Sequence, residues 1–366
     1  MDFPVIDCHA HIFPPLSGAC GFTDAATHLL HQQRAMHEHG NQPYRRLSDD
    51  AIVAQRPLWD ANDSSVAGRR DVEFRVGRAG RFEWEVNGEA QYVQFLPPYM
   101  ADMSAPAEVI TRQMDYAGVA TAVLQNDHIY GDSAEDFAAA MQRYPGRFIG
   151  LAQVQEAWAF RDDQLERLRH QAERLGMAGL YFTYSGLFRD GYKTRPSDPA
   201  FDPLWREVMR LDLPVFWVNR DNSPIGSYED ELTDVARILE RFPMRSVLVH
   251  GLPTSRYADA NERLTLPTVA ERLLTQMPVS AELLYPISWG GRHEYPFPKA
   301  MVHFRQLVDR FGASRFVWGS DMPNVERYCT YRQTFTYVWN HADFLNDDDR
   351  RAVFHDNTLA LFRAGS

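Results

Sequence analysis

This 366-residue sequence predicts an α/β fold, a (β/α)8 TIM barrel, on three observations. Eight short runs that are apolar at nearly every position recur along the chain. Segments with apolar residues at three- and four-residue spacing separate them. No Gly-x-Gly-x-x-Gly follows any of the runs. The first two observations describe parallel strands covered on both faces by amphipathic helices. The third weighs against the competing arrangement, an open doubly wound sheet.

The strand candidates are "PVID" from Pro4, "TAVLQ" from Thr121, "RFIGLAQV" from Arg147 and "MAGLYFTY" from Met177. They continue with "PVFWVN" from Pro214, "SVLVHG" from Ser246, "VSAELL" from Val279 and "RFVWGSD" from Arg315. Between them, "AEVITRQMDYAG" ends on Gly118, a residue suited to the left-handed turn that closes a helix. "SAEDFAAAMQRYPG" opens with Ser133-x-x-Asp136, a variant of the capping box, and stops at Pro145. Helical spacing recurs in "DDQLERLRHQAERLG", "FDPLWREVMRLD", "YEDELTDVARILERFP", "LPTVAERLLTQMP" and "PFPKAMVHFRQLVDRFG". After the eighth strand, "DDDRRAVFHDNTLALFR" predicts a closing helix.

One interval breaks the rhythm. Residues 1–13 and 104–366 are assigned to the barrel, and residues 14–103 to an inserted α+β subdomain. Within it, "DVEFRV", "RFEWEV" and "EAQYVQF" alternate apolar and polar residues, as strands with one solvated face do. Asn87-Gly88 is a favoured pair for a tight hairpin, so a small antiparallel meander is expected. Because the insertion leaves the barrel where the first strand stops, it should lie over the mouth as a lid. Trp84, Tyr92, Phe95 and Tyr99 are read as its core, and "HLLHQQRAMHEH" as a polar helix within it.

Composition narrows the function classes. With 45% hydrophobic and 24% charged residues the chain reads as globular. A net charge of −11 without a basic stripe argues against a nucleic-acid partner. No run approaches the length of a membrane span and no signal peptide is visible. Cys8, Cys20 and Cys329 form neither a zinc knuckle nor a disulfide scaffold, which suits a reducing compartment, so a cytoplasmic setting is expected.

In such a barrel, chemistry gathers at the C-terminal tips of the strands. The first tip offers Asp7, His9 and His11; the second Asn126, Asp127 and His128; the fifth Asn219-Arg220-Asp221; the sixth His250; and the eighth Asp321. His9 and His11, two residues apart on an extended segment, face one way and can share a metal. Two imidazoles and the Asp321 carboxylate make a ligand set for one divalent ion, zinc or manganese, with a position left for water or substrate. His250 is a candidate further ligand or proton shuttle, and Asp321 a candidate for acid/base work as well. Asp7 is read as orienting an imidazole or stabilising the strand end rather than binding metal. Against these stand blander roles: Asp321 as a helix cap, His250 as a satisfied buried imidazole, His128 as loop polarity. Arg292 and His293, after the seventh strand, are candidates for contact with a substrate carboxylate.

"IDCHAHIF", "SVLVHG", "FGASRFVWGSDMPN" and "HDNTLALF" together resemble the amidohydrolase superfamily. The branch they most resemble contains aminocarboxymuconate-semialdehyde decarboxylase and γ-resorcylate decarboxylase. The resemblance implies metal ligation by His9, His11 and Asp321 and an acid/base role for His250. It also implies a small carboxylated substrate and suggests a homodimer. One departure stands out. The family places a metal-ligating histidine at the end of the fifth strand, where this chain has Val218 or Asn219, and an amide oxygen is a weaker zinc ligand than imidazole. "MAGLYFTY" carries no lysine for a bridging carbamate, which argues for one metal at most. The expected activity is non-oxidative decarboxylation of an aromatic or unsaturated acid. Metal-dependent hydrolysis of an amide, ester or lactone is one alternative, and a metal-free barrel that binds a small molecule is another.

Overall fold

The computed structural model describes residues 2–39, 42–54, 56–220, 222–284 and 294–363. Its centre is an eight-stranded sheet whose strands follow one another in chain order. They are β1 (Val5–Ala10), β2 (Val119–Leu124), β3 (Phe148–Gln153), β4 (Gly179–Thr183), β5 (Val215–Val218), β6 (Ser246–Leu248), β7 (Val279–Leu283) and β8 (Phe316–Trp318). Every neighbouring pair is parallel. The sheet curls back on itself just beyond the ends of β1 and β8. There the Asp321 N–H donates to the His9 carbonyl and the His11 N–H to the Met322 carbonyl, each at 2.8 Å. This is the (β/α)8 barrel that the eight apolar runs predict.

The alternation of side chains sorts each strand into two cores. Cys8, Val123, Leu151, Tyr181, Phe216, Val218, Val247 and Val317 fill the barrel interior, together with Leu361 from the C-terminal segment. The larger cluster lies between sheet and helices and includes Trp205, Trp217, Trp318 and Phe354. Helices α1 (Ala25–Glu38) and α2 (Ala107–Ala117) precede β2, followed by α3 (Ala134–Arg143), α4 (Asp162–Glu173), α5 (Asp202–Arg210) and α6 (Tyr228–Arg241). Gly118 closes α2 at φ 83°, its N–H on the Met114 carbonyl, as its position predicts. Ser133 departs from expectation: its side chain makes no capping bond to α3. The closing segment is helical at Asp347–Arg351 and Asn357–Phe362, but a π-helical turn, Ala352–Asp356, interrupts it.

Between β1 and β2 lies a separate antiparallel sheet of five strands, in the order Ile52–Val53, Tyr44–Arg46, Glu89–Gln94, Arg81–Val86, Arg75–Val76. Asn87 (φ 53°) and Gly88 (φ 78°) turn the hairpin between its two longest strands, as two left-handed residues in succession must. Trp84, Tyr92 and Phe95 are buried in its core. Tyr99 is not: it is 61% exposed, because the alternating strand ends at Gln94 and no longer sets its direction. The histidine-rich helix is α1, and it is buried rather than solvated. His28, Gln32 and Gln33 reach the backbone carbonyls of Gly18, Ile129, Leu16, Leu58 and Arg70, which pairs part of this polar face inside the protein, while Gln32 Oε1 and His31 Nε2 have no hydrogen-bond partner among the described residues. No helix among the described residues is long and apolar enough to cross a membrane.

Candidate metal centre

His9 and His11 leave β1 at its tip, on the side of the barrel closed by β8. Two glycines permit the close packing around them. A Cβ on Gly319 would lie 2.8 Å from the His9 Cβ. One on Gly251, at φ 67°, would fall 2.2 Å from the Glu282 carbonyl oxygen. Both explain residues that the sequence shows beside Asp321 and His250. Those two residues themselves have φ of 60° and 63°, a conformation that non-glycine residues adopt at some cost and that recurs at functional sites.

The imidazoles are locked from behind. His9 Nδ1 lies 2.9 Å from Glu282 Oε2, and His11 Nδ1 lies 2.9 Å from the Gln125 carbonyl. Acceptors at both Nδ1 atoms put the protons there, which leaves both Nε2 lone pairs facing forward. They face each other at 3.0 Å, and Asp321 Oδ1 stands 3.0 Å from His11 Nε2 and 3.7 Å from His9 Nε2. Three lone-pair donors converging in this way repel one another unless a cation lies between them. Tetrahedral zinc with bonds of about 2.0–2.2 Å spaces its ligands roughly 3.3–3.5 Å apart. The observed separations bracket that spacing, so the donor set fits a divalent ion. His9, His11 and Asp321 are all buried, and among the described residues they are the group of three ligating side chains close enough to hold a metal.

The electrostatics agree with a site for positive charge. Glu282, Asp321 and Asp7 outweigh the cost of burial and raise the pKa of His9 to about 9, so this pocket favours one positive charge among the three donors: a second proton on His9, which a bound divalent ion would displace. Burial would likewise raise Asp321. The close His11 contact and the adjacent imidazoles prevail and hold its carboxylate well below the usual range. Asn324 Nδ2 adds a donor to Asp321 Oδ1 at 2.7 Å and also donates to the Tyr130 hydroxyl. The Tyr130 ring lies 4.4 Å from that of His11. His250 stands across the site, its ring 5.3 Å from that of His9. Burial and the neighbouring His9 charge push its pKa down to about 4, so at neutral pH it is uncharged.

Glu282 was not among the residues that the strand tips bring to notice. Its Oε2 also accepts the His250 N–H at 2.8 Å, and its Oε1 accepts from Gln125 Nε2 at 2.6 Å. It therefore ties His9, His250 and β2 to one carboxylate. The signal was a glutamate inside the apolar run "VSAELL", where a charge is too costly to bury without a task.

Asp7 supports the centre from the other side of β1. Four residues of β1, Asp7 to Ala10, stand opposite three of β2, Ala122 to Leu124. This bulge separates the Asp7 side chain from those of His9 and His11, which strict alternation would place on one face. Asp7 accepts the N–H groups of His9 and Ser320 at 3.0 and 2.9 Å, and the hydroxyls of Ser320 and Tyr331 at 2.5 and 2.7 Å. It thus positions the backbone of both β1 and the Asp321 segment.

The remaining candidates lie elsewhere. His128 Nε2 pairs with Glu156 at 2.6 Å, and its ring stacks on His31 of α1, which joins the insertion to the barrel. Asn219 makes a 3.4 Å contact to Glu231, and its buried carbonyl oxygen has no hydrogen-bond partner among the described residues. Arg292 and His293 lie outside the described residues.

The sequence pattern of the amidohydrolase family matches residues 6–364. No curated protein sequence matches the chain. Among solved structures, a probable 2-pyrone-4,6-dicarboxylic acid hydrolase from Acinetobacter baumannii, with citric acid bound, is similar over 98% of this chain and 99% of its own, at 16% identity and TM-score 0.58. The 2,6-dihydroxybenzoate decarboxylase from Rhizobium is similar over 71% of this chain and 89% of its own, at 16% identity and TM-score 0.51. The 5-carboxyvanillate decarboxylase from Sphingomonas paucimobilis covers 72% and 84%, at 17% identity and TM-score 0.50. At these identities the likeness is one of fold.

Proposed function

We propose a function from one premise: this chain belongs to the amidohydrolase family. Our reading is a metal-dependent hydrolase that adds water to the carbonyl carbon of a small carboxylated lactone, ester or amide. The observation that carries it is the convergence of His9 Nε2, His11 Nε2 and Asp321 Oδ1 at 3.0–3.7 Å, with both Nδ1 atoms committed to acceptors behind. His9, His11 and Asp321 would hold a divalent ion, which would polarise a bound oxygen and make water more acidic.

The chain's own groups supply the remaining chemistry. Asp321, held ionised by His11 and Asn324, accepts the proton of the attacking water and can return it to the leaving group. His250, uncharged at neutral pH, offers an N–H to the oxygen on which negative charge develops. Glu282 keeps His9 and His250 in register, and Asp7 fixes the backbone on either side. Support also comes from the Acinetobacter hydrolase, which is similar along nearly the whole of this chain, whereas the two decarboxylases are similar over 71% and 72% of it.

Carbon–carbon cleavage is the second reading, favoured by the fold likeness to those decarboxylases. There Asp321 or His250 would deliver a proton to the carbon as carbon dioxide leaves. One panel tests both. Zinc- and manganese-loaded protein is offered aromatic lactones, esters and amides, with ring opening or acid release recorded. Hydroxybenzoates are offered in parallel, with carbon dioxide recorded. Metal-dependent hydrolysis that chelation abolishes supports the first reading. Carbon dioxide release replaces it with the second. Ligand binding without turnover or metal replaces both with a binding barrel.

A further inference from the structure

The position after β5 is where this chain departs from its family, and the structure puts an arginine beside that gap. Arg220 follows Asn219 directly, and its backbone N–H is anchored 2.7 Å from Glu231 Oε2 of α6. Its guanidinium is poorly provided for. Nε has no hydrogen-bond partner among the described residues and stands 3.9 Å from Glu38 Oε2. Glu38 does not need it. The Glu38 oxygens already receive Arg34 Nε at 2.8 Å, the Ser185 hydroxyl at 2.6 Å and the Tyr192 hydroxyl at 3.0 Å. Arg220 is thus a cation held near an anion that is satisfied by others.

Its place is over the barrel mouth. It stands two residues past the C-terminal end of β5, and the Glu38 beside it accepts from Ser185, two residues past the end of β4. Tyr181 belongs to the barrel interior and donates its hydroxyl to Asp127 Oδ2 at 2.8 Å. A three-quarters buried arginine side chain whose Nε has no hydrogen-bond partner among the described residues suits a planar carboxylate, which a guanidinium can bind through two parallel hydrogen bonds.

We propose that Arg220 is a specificity-determining residue that binds a carboxylate of the substrate remote from the reacting carbon. The inference rests on the reading of this mouth as an active site, and it deepens that reading: the substrate carries a carboxylate besides the group that reacts. Glu38 of the inserted helix holds the guanidinium over the mouth between turnovers and yields it to the incoming anion. The ligand role of the absent β5 histidine is replaced here by a substrate-recognition role.

The test reads binding. Isophthalate and its mono-amide, 3-carbamoylbenzoate, are titrated calorimetrically into zinc-loaded wild-type protein, Arg220→Met and Arg220→Lys. The two probes have nearly the same shape and differ by one charge. The expected result is a preference of about tenfold for isophthalate in the wild type, little or none in Arg220→Met, and an intermediate value in Arg220→Lys, whose point charge lacks the fork. An unchanged preference in Arg220→Met overturns the proposal, as does a wild type that binds both probes equally. A variant that merely unfolds loses both probes together, and Arg220→Lys then decides: a preference equal to that of the wild type counts against the guanidinium. Turnover plays no part in this measurement. An Arg220-dependent preference without hydrolysis leaves the proposal standing and removes the reaction, while zinc-dependent hydrolysis with no preference does the reverse.

Discussion

The two sides of the barrel mouth are built differently. On the side of β1, β7 and β8, every functional side chain is fixed by short bonds: His9 to Glu282, His11 to the Gln125 carbonyl and Asp321 to Asn324, all within 3.0 Å. On the β5 side, Asn219 reaches Glu231 only at 3.4 Å and Arg220 reaches Glu38 only at 3.9 Å. Rigid placement suits groups that must meet reacting atoms within tenths of an ångström. Loose pairing suits a group that exchanges partners when a ligand arrives. The difference teaches that the donors able to hold a metal lie on one arc of the mouth, while the opposite arc, with Asn219 and Arg220, has the loose pairing that the proposed recognition role needs.

Substitutions sharpen this contrast in a graded way. The largest effect is expected for His11→Ala, which removes the donor that faces both other ligands. Zinc content, measured by mass spectrometry of the purified protein, should fall well below one equivalent. The rate constant kcat should drop by about 10³-fold or more, in the range seen when a principal catalytic group is removed. Glu282→Gln comes next. It preserves volume but removes the negative charge behind His9, so zinc affinity measured against a competing chelator should weaken by about 10–100-fold. The fold should persist, as judged by circular dichroism.

Gly319→Ala tests whether rigid packing behind His9 is required. The added methyl would lie 2.8 Å from the His9 Cβ. Overpacking of this kind costs roughly 1–3 kcal/mol, read as a lower denaturation midpoint with an unchanged slope. A stability equal to that of the wild type would show that the arc around His9 yields more readily than its bonds indicate.

The smallest effect is a pH dependence weighted towards the insertion, where the lowered histidines His31, His37 and His39 outnumber His250 at the barrel mouth. Burial lowers the pKa of His31 well below its ordinary value, of His37 to about 4 and of His39 to about 3. Each folded pKa lies under the unfolded one, so below pH 6.5 the unfolded insertion binds more protons than the folded one. Stability from these groups is therefore complete above about pH 6.5 and declines as pH falls through 6.5 towards 4. Hydrogen exchange corrected for pH should show α1 losing protection at pH 5 relative to pH 7, while β1 and β8 change less. Equal loss in both regions would erase the distinction between insertion and barrel.

Much of this architecture is legible in the residues alone. The eight strands announce themselves because both their faces are buried. His9, His11, His250 and Asp321 stand out because polar groups directly follow apolar runs. Other features are written less openly. Glu282 sits inside a run and looks like an interruption of it, although a buried charge is itself a signal. The side-chain direction of Asp7 depends on a bulge, which is a property of pairing between β1 and β2 and leaves no mark in "VIDCHA". Helix α1 looks solvated because its buried face carries His28, Gln32 and Gln33, whose partners are backbone carbonyls that composition cannot reveal. Arg220 reads as ordinary loop charge until its weak pairing is seen in three dimensions.

Anomalous diffraction at the zinc edge, from crystals grown with zinc, reaches the heart of the matter. One peak should lie within bonding distance of His9 Nε2, His11 Nε2 and Asp321 Oδ1, and vanish in His11→Ala. A protein saturated with zinc whose peak lies away from these three atoms, or that gives none, would contradict the assignment of this centre.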